Sequence, residues 1–286
     1  MEPALAAIRF AHYLAAMFVF GAAAFLVAFA PPELRTALSP RLRGVALAAS
    51  VIALLSALAW LAMESASMND DIGAAFDPYA VLDVLTFTAF GGVWQGRIAL
   101  AAVTILALIL TRADRWGAPT MLAGLLLASL SLVDHGAMQS GALGLAHRAN
   151  DAVHLLATGG WLGGLPVFAM CLGARKDAAH VAMLRFSAAG HFGVVAILVT
   201  GAINIYLTTH AAPWPATSPY RALLIAKISV VLAMIALAVV NRYVLLPSIE
   251  DHPRRARALR LFALAEFCLA ITAVALVSYF GLLDPA

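Results

Sequence analysis

Imidazole, carboxylate and thioether side chains recur in this chain at helical spacing. In NDAVHLLATGGWLGGLPVFAM, residues 150–170, Asp151 and His154 stand one turn apart at the mouth of an otherwise uncharged run. His147 precedes them, so the three fall at i, i+4 and i+7 and share a helix face. His12 opens another apolar run, Glu64 and Met68 lie one turn apart at the end of a third, and His135 and Met138 stand in DHGAMQSG. Imidazole serves copper in either oxidation state, thioether favours Cu(I), and carboxylate favours the harder Cu(II). The set His12, Glu64, Met68, His135, Met138 and His154 therefore has the donor chemistry of a copper site. Asp151 is either a further ligand or the group that fixes the His154 tautomer.

Each of these residues also has a plainer reading. A single intramembrane histidine can simply hydrogen-bond between helices, and His147 and Asp151 can be interfacial polar groups. Met17 is about 140° around the helix from His12 and reads as packing. His180, His210 and His252 lie in loops and read as solvated side chains. His191 falls in the middle of an apolar run, as a core polar contact or a second station on a path inward. Glu266 is either paired with a neighbour or part of an ion route, and Lys227 and Arg97 read as snorkelling anchors.

The elements that carry these groups are membrane helices. A chain of 286 residues that is 63% hydrophobic and 12% charged, with mean hydropathy +0.93, is outside the range of soluble globular domains. At roughly 20 apolar residues per span, eight helices are expected, near 5–30, 42–67, 93–111, 118–134, 150–172, 186–209, 220–246 and 258–282. The fold class is all-α polytopic, a single transmembrane domain over residues 1–286. The first run resembles a signal peptide at Ala28-Phe29-Ala30, but its apolar stretch is too long and it lacks a basic start, so it is expected to be retained.

The net charge of +3 is no sign of nucleic-acid binding, because the basic residues sit in short loops. Of 18 Lys and Arg, 13 fall after the first, third, fifth and seventh spans, while Asp70, Asp71, Asp77 and Asp83 lie on the opposite side. The positive-inside rule then places both termini, the acidic loop and the His, Glu and Met groups on the periplasmic side. Cys171 and Cys268 offer neither a disulfide nor a Cys-x-x-Cys motif.

The chain also repeats itself. His12, Leu14, Ala15 and Gly21 recur as His154, Leu156, Ala157 and Gly163 at identical spacing, and Arg97 opens its helix much as Arg221 does. Two parallel four-helix halves, 1–147 and 148–286, are expected, related by an axis along the membrane normal with a site at their interface. On that basis His12 and His154 are expected to face one another. Gly159/Gly163 and Gly160/Gly164 are small-xxx-small pairs that admit a close neighbouring helix.

The segments DAVHLLATGGWLGGLPVFA, HGAMQSG, VWQGR, FSAAGH and YRALLIAKISVVLAMIALAVVNRYVLLP resemble the CopD copper-resistance membrane proteins across nearly the whole chain. The resemblance implies an eight-helix protein of the bacterial inner membrane that moves copper between periplasm and cytoplasm and works with a small periplasmic copper-binding protein of the CopC type. It carries over to His154 and Trp161 in the Asp-x-x-His…Trp-x-Gly-Gly segment and to His135 before it. Few residues follow the last span, so such a partner is expected as a separate chain.

The leading expectation is uptake of copper, as Cu(I) or Cu(II), at an outer-leaflet site and its release past His191 toward the cytoplasm. No Gly-x-x-x-x-Gly-Lys-Ser/Thr motif is present to bind ATP phosphates, and no enzyme activity is expected. Two other classes stand beside it. Histidines on packed membrane helices can hold haem for electron transfer, with His12 and His154 as the pair. A copper sensor or scaffold would bind the metal without moving it.

Overall fold

A computed structural model describes residues 1–133, 139–172, 176–209, 218–246 and 253–283. The described chain forms nine α-helices and has no strand: α1 (Glu2–Ala28), α2 (Pro32–Asn69), α3 (Pro78–Phe87), α4 (Ala89–Leu110), α5 (Gly117–Ala128), α6 (Gly141–Cys171), α7 (Lys176–Thr209), α8 (Pro219–Val240) and α9 (Pro253–Phe280). Seven of them are long and apolar enough to cross a membrane: α1, α2, α4, α6, α7, α8 and α9. The span expected at 118–134 is α5, continued by a 3-10 turn to Leu132, and it is shorter than the others. The eight-helix expectation therefore holds for the long elements together with α5.

Local chemistry sets the helix ends. Pro32, Pro78 and Pro219 sit at first-turn positions, where the missing N–H costs nothing. The side chains of Asp77, Thr88 and Ser218 accept from the first-turn amides of Tyr79, Gly91 and Arg221. Asp70 ends α2 with φ 49°, a left-handed cap. The short α3 was missed in the sequence because acidic residues surround it, and its Phe76, Tyr79 and Phe87 neighbourhood is largely exposed.

One end of the bundle is basic. Arg43 donates to the Leu108 and Arg112 carbonyls at the end of α4, Arg260 to the Leu172 carbonyl at the end of α6, and Arg242 to the Leu184 carbonyl. Guanidinium groups there satisfy carbonyls that a helix terminus leaves open. At the other end the start of α1 meets the end of α9, where Arg9 lies against Gly281.

The helices α1 and α6 cross at the centre with almost no side chain between them. A Cβ added at Gly21 would lie 2.3 Å from the Gly159 carbonyl oxygen, and one added at Gly163 would lie 2.0 Å from that of Met17. These are the positions that the expected repeat would pair, Met17 with Gly159 and Gly21 with Gly163. Around it α2 packs on α1, α7 packs on α6, and α8 packs on α9. Two cavities border α6, α7, α8 and α9.

Candidate metal centre

The first cavity, of about 410 Å³, has one wall of α6 facing α7 and α8, with α1 and α9 closing it. His147, Asp151, His154, Thr158 and Trp161 all line it. They follow one another at alternating steps of four and three, so α6 presents a single polar stripe, as the i, i+4, i+7 spacing predicted.

His147, Asp151 and His154 are each held from α7 or the chain just before α6, whereas the buried Thr158 hydroxyl has no hydrogen-bond partner among the described residues. The Gln139 amide donates to the Leu207 carbonyl at 2.9 Å, which leaves its oxygen to accept from His147 Nδ1. Asn204 donates to Asp151 at 2.8 Å and accepts from Asn150 at 2.6 Å, and Asn150 also donates to the Thr200 carbonyl at 2.9 Å.

His154 Nδ1 lies 2.9 Å from Thr200 Oγ1. The Thr200 hydroxyl donates its own hydrogen to the Ala196 carbonyl, so it can only accept from the ring. Nδ1 therefore carries the proton. The ring's hydrogen bonds run to Thr200 and the Ile197 carbonyl, both on α7, and with Nδ1 as the donor Nε2 keeps its lone pair. A neutral imidazole whose orientation is fixed through its other nitrogen is the form in which histidine binds metals.

Two cations border the same space. Lys227 interacts electrostatically with both Asp151 and His154, and its ammonium lies 5.7 Å from the Phe280 ring centroid. Arg9, 4% exposed, donates to the Tyr13 hydroxyl at 3.0 Å and lies over the Trp60 ring. Lys227 is a cavity group rather than the outward anchor expected of it.

His12 sits in a different interface. Its Nδ1 donates to the Ala53 carbonyl of α2 at 3.0 Å, with Ser56 Oγ at 3.1 Å. Its Nε2 accepts from the Arg97 guanidinium of α4 at 2.5 Å. Arg97 also donates to the Leu126 carbonyl and Ser129 Oγ at 3.1 and 2.7 Å, and its guanidinium lies 4.9 Å from the Trp94 ring centroid. His12 and Arg97 are both 0% exposed, enclosed by Trp60 and Trp94. Arg97 was expected to snorkel; instead it is a buried donor hub.

In this arrangement both nitrogens of His12 are committed. The rings of His12 and His154 share no partner, and one addresses α2 and α4 while the other addresses α7. The structure thus brings His147, Asp151, His154 and Trp161 to one cavity and leaves His12 apart. Glu64 is half-buried and Met68 exposed near the end of α2, and neither lines the cavity. His135 and Met138 lie outside the described residues, as do His210 and His252. Among the described residues no three His, Cys, Asp or Glu side chains converge to hold a metal ion.

The second cavity, of about 260 Å³, lies toward the basic end. His191 and Glu266 line it, as does Trp161. Glu266, 3% exposed, accepts from the Asn241 amide, and His191 Nε2 lies 2.7 Å from the Tyr243 hydroxyl. Asn241 and Tyr243 belong to a π-helical turn, Asn241–Leu245, that ends α8. Such turns widen a helix locally and recur at functional positions.

The fold and its two largely apolar cavities, each with a few ionisable groups on its wall, define a polytopic membrane protein. Residues 1–145 match the family described as copper resistance protein D-like, N-terminal domain, and residues 180–280 match copper resistance protein D. The chain belongs to the copper resistance protein D family. It is 31% identical to the inner membrane protein YebZ of Escherichia coli (strain K12), over 98% of this chain and 97% of that one. It is 29% identical to copper resistance protein D of Pseudomonas syringae pv. tomato, over 99% of this chain and 97% of the relative. No solved structure matches.

Proposed function

We propose that this chain carries copper across the inner membrane from periplasm to cytoplasm, and that the first cavity receives it. The carrying observation is His154. Its Nε2 lone pair is uncommitted, its Nδ1 is anchored on Thr200, and Asp151 and His147 follow on the same stripe of the cavity wall. An arriving Cu(I) or Cu(II) ion takes Nε2 of His154 first. The Asp151 carboxylate then exchanges Lys227 for the metal, while the ammonium retreats along the Phe280 face. His135 and Met138, in the segment between α5 and α6, would complete the donor set.

The arginine-rich end of the bundle is assigned to the cytoplasm and both termini to the periplasm, by the positive-inside rule. A CopC-type periplasmic protein, as a separate chain, is the proposed donor at the first cavity. Duplication of two halves, 1–147 and 148–286, is proposed to underlie the arrangement: the Gly21/Gly163 crossing supports it, as does the match of His12 and Ser56 to His154 and Thr200, with Lys227 in place of the expected Arg221 as the counterpart of Arg97. The haem alternative needs His12 and His154 as a facing pair, and the two rings address different helices.

The test is copper movement into vesicles holding the purified full chain. Uptake that disappears in His154→Ala while the variant stays folded is the expected result. Copper binding without movement in wild type would favour a sensor or scaffold.

A further inference from the structure

The stripe on α6 does not stop at the metal cavity. His147, Asp151, His154, Thr158 and Trp161 line the first cavity, and Trp161, Leu165 and Phe168, at the same alternating spacing, line the second. The other walls continue in the same order. On α7 the lining passes from Ile197 to Val195, and on α8 from Met234 to Ile235. The two cavities are therefore stacked end to end between the same helices. Among the described residues Trp161 alone belongs to both.

The second cavity holds a buried carboxylate. Glu266 takes a neutral amide, Asn241, as its hydrogen-bond partner. Arg242 lines the same cavity, but its guanidinium is turned to the Leu184 carbonyl at 3.3 Å. A buried ionisable group facing a cavity inside a membrane protein is costly, and it marks the route of an ion. His191, hydrogen-bonded to Tyr243, stands on the opposite wall.

We propose that the two cavities are successive chambers of one cation path, that Trp161 is the gate between them, and that Glu266 is the carboxyl group that receives the cation in the inner chamber. This deepens the copper reading and rests on it for the identity of the cargo, but the gate itself can be tested without copper. The indole is the largest side chain and spans the path at the join. Its rotation away, at the expense of its contacts with the two core clusters it borders, would merge the chambers.

The experiment reads thiol accessibility in right-side-out and inverted vesicles carrying the full chain, in a Cys171→Ser, Cys268→Ser background. Thr158→Cys reports the outer chamber and Ser187→Cys the inner one. A membrane-impermeant trimethylammonium thiosulfonate should modify Thr158→Cys from one side only and Ser187→Cys from the other only. Adding Trp161→Ala, or Trp161→Leu should alanine fold poorly, should let the reagent reach Ser187→Cys from the Thr158 side at least about tenfold faster, whereas Trp161→Phe should keep the barrier. Ser187→Cys reached equally from both sides with Trp161 in place would overturn the gate, as would a sidedness that neither smaller residue changes.

For the inner chamber, the cationic reagent should modify Ser187→Cys about tenfold faster than an anionic sulfonate reagent, the scale on which a cleft charge concentrates counter-ions. Glu266→Gln should collapse that ratio, and an unchanged ratio would remove Glu266 from the path. If these thiol results hold while copper fails to move, the path stands and only its cargo has been misassigned.

Discussion

The pockets of His12 and His154 contain the same three kinds of group in the same order, and they differ in whether the cation takes the second ring nitrogen. In each, Nδ1 meets a hydroxyl on the next long helix, Ser56 or Thr200, and a basic residue on a later helix lies beside the ring, Arg97 or Lys227. The difference is the basic residue. Arginine is a fixed fork of donors that never loses its charge, and it has locked His12 Nε2 into a network with Leu126 and Ser129. Lysine is a point charge on a flexible stem, and it leaves His154 Nε2 open. Ligand capacity here depends on whether the neighbouring cation takes the lone pair, rather than on the presence of histidine.

The largest effect that would break this comparison is Arg97→Leu. Removing this buried donor leaves His12 Nε2 unpaired, while Ser129 still donates to the Leu126 carbonyl, and a buried unsatisfied acceptor costs about 1–3 kcal/mol. The variant should lose more thermal stability in detergent than Lys227→Leu, because the Lys227 ammonium borders the first cavity and takes no lone pair of a buried ring. Equal loss in the two would erase the distinction between a structural and a working pocket.

His154→Ala should lower copper affinity at least about 100-fold, at the upper end of what losing even a group behind the ligand costs. His12→Ala should leave affinity within about threefold while lowering stability, because a buried unsatisfied partner costs about 1–3 kcal/mol. Titration of both purified variants with copper decides this; reversed outcomes would move the site to α1.

Gly21→Ala and Gly163→Ala test the repeat itself. Each new methyl would press on backbone across the crossing, and overpacking of this kind costs about 1–3 kcal/mol. If the two positions are equivalent, the thermal shifts should match.

The smallest expected effect is that of Thr200→Val, which removes the acceptor that fixes His154 Nδ1 while keeping its shape. Affinity should fall about tenfold, the low end for a group that orients a ligand. No change would mean that the Ile197 carbonyl, which also contacts the ring, is sufficient by itself.

Much of this was legible in the sequence wherever the information was local. Seven long spans, the α5 segment and the face shared by His147, Asp151 and His154 follow from hydropathy and helical period. Partners that meet across the fold were not legible. The acceptors that hold Arg97 inside the protein are 29 and 32 residues away, so a rule about snorkelling anchors could not anticipate them. Asn241 reaches Glu266 across 25 residues through a π turn that no pattern of apolar spacing announces. The signal that was available for His12 was the density of tryptophan near it in the fold, and Trp60 and Trp94 stand on separate helices.

At the Gly21/Gly163 crossing the two central helices meet main chain to main chain. Interdigitated side chains resist rotation because each knob must leave its hole, and here there are no knobs to withdraw. A contact of this kind behaves as a fulcrum. Tilting α6 about it would swing His154, which lies outside the Gly159–Gly163 contact, while Trp161, between those two glycines, stays near the pivot. A small tilt would then reshape the first chamber around His154 while leaving the partition at its base almost where it stands.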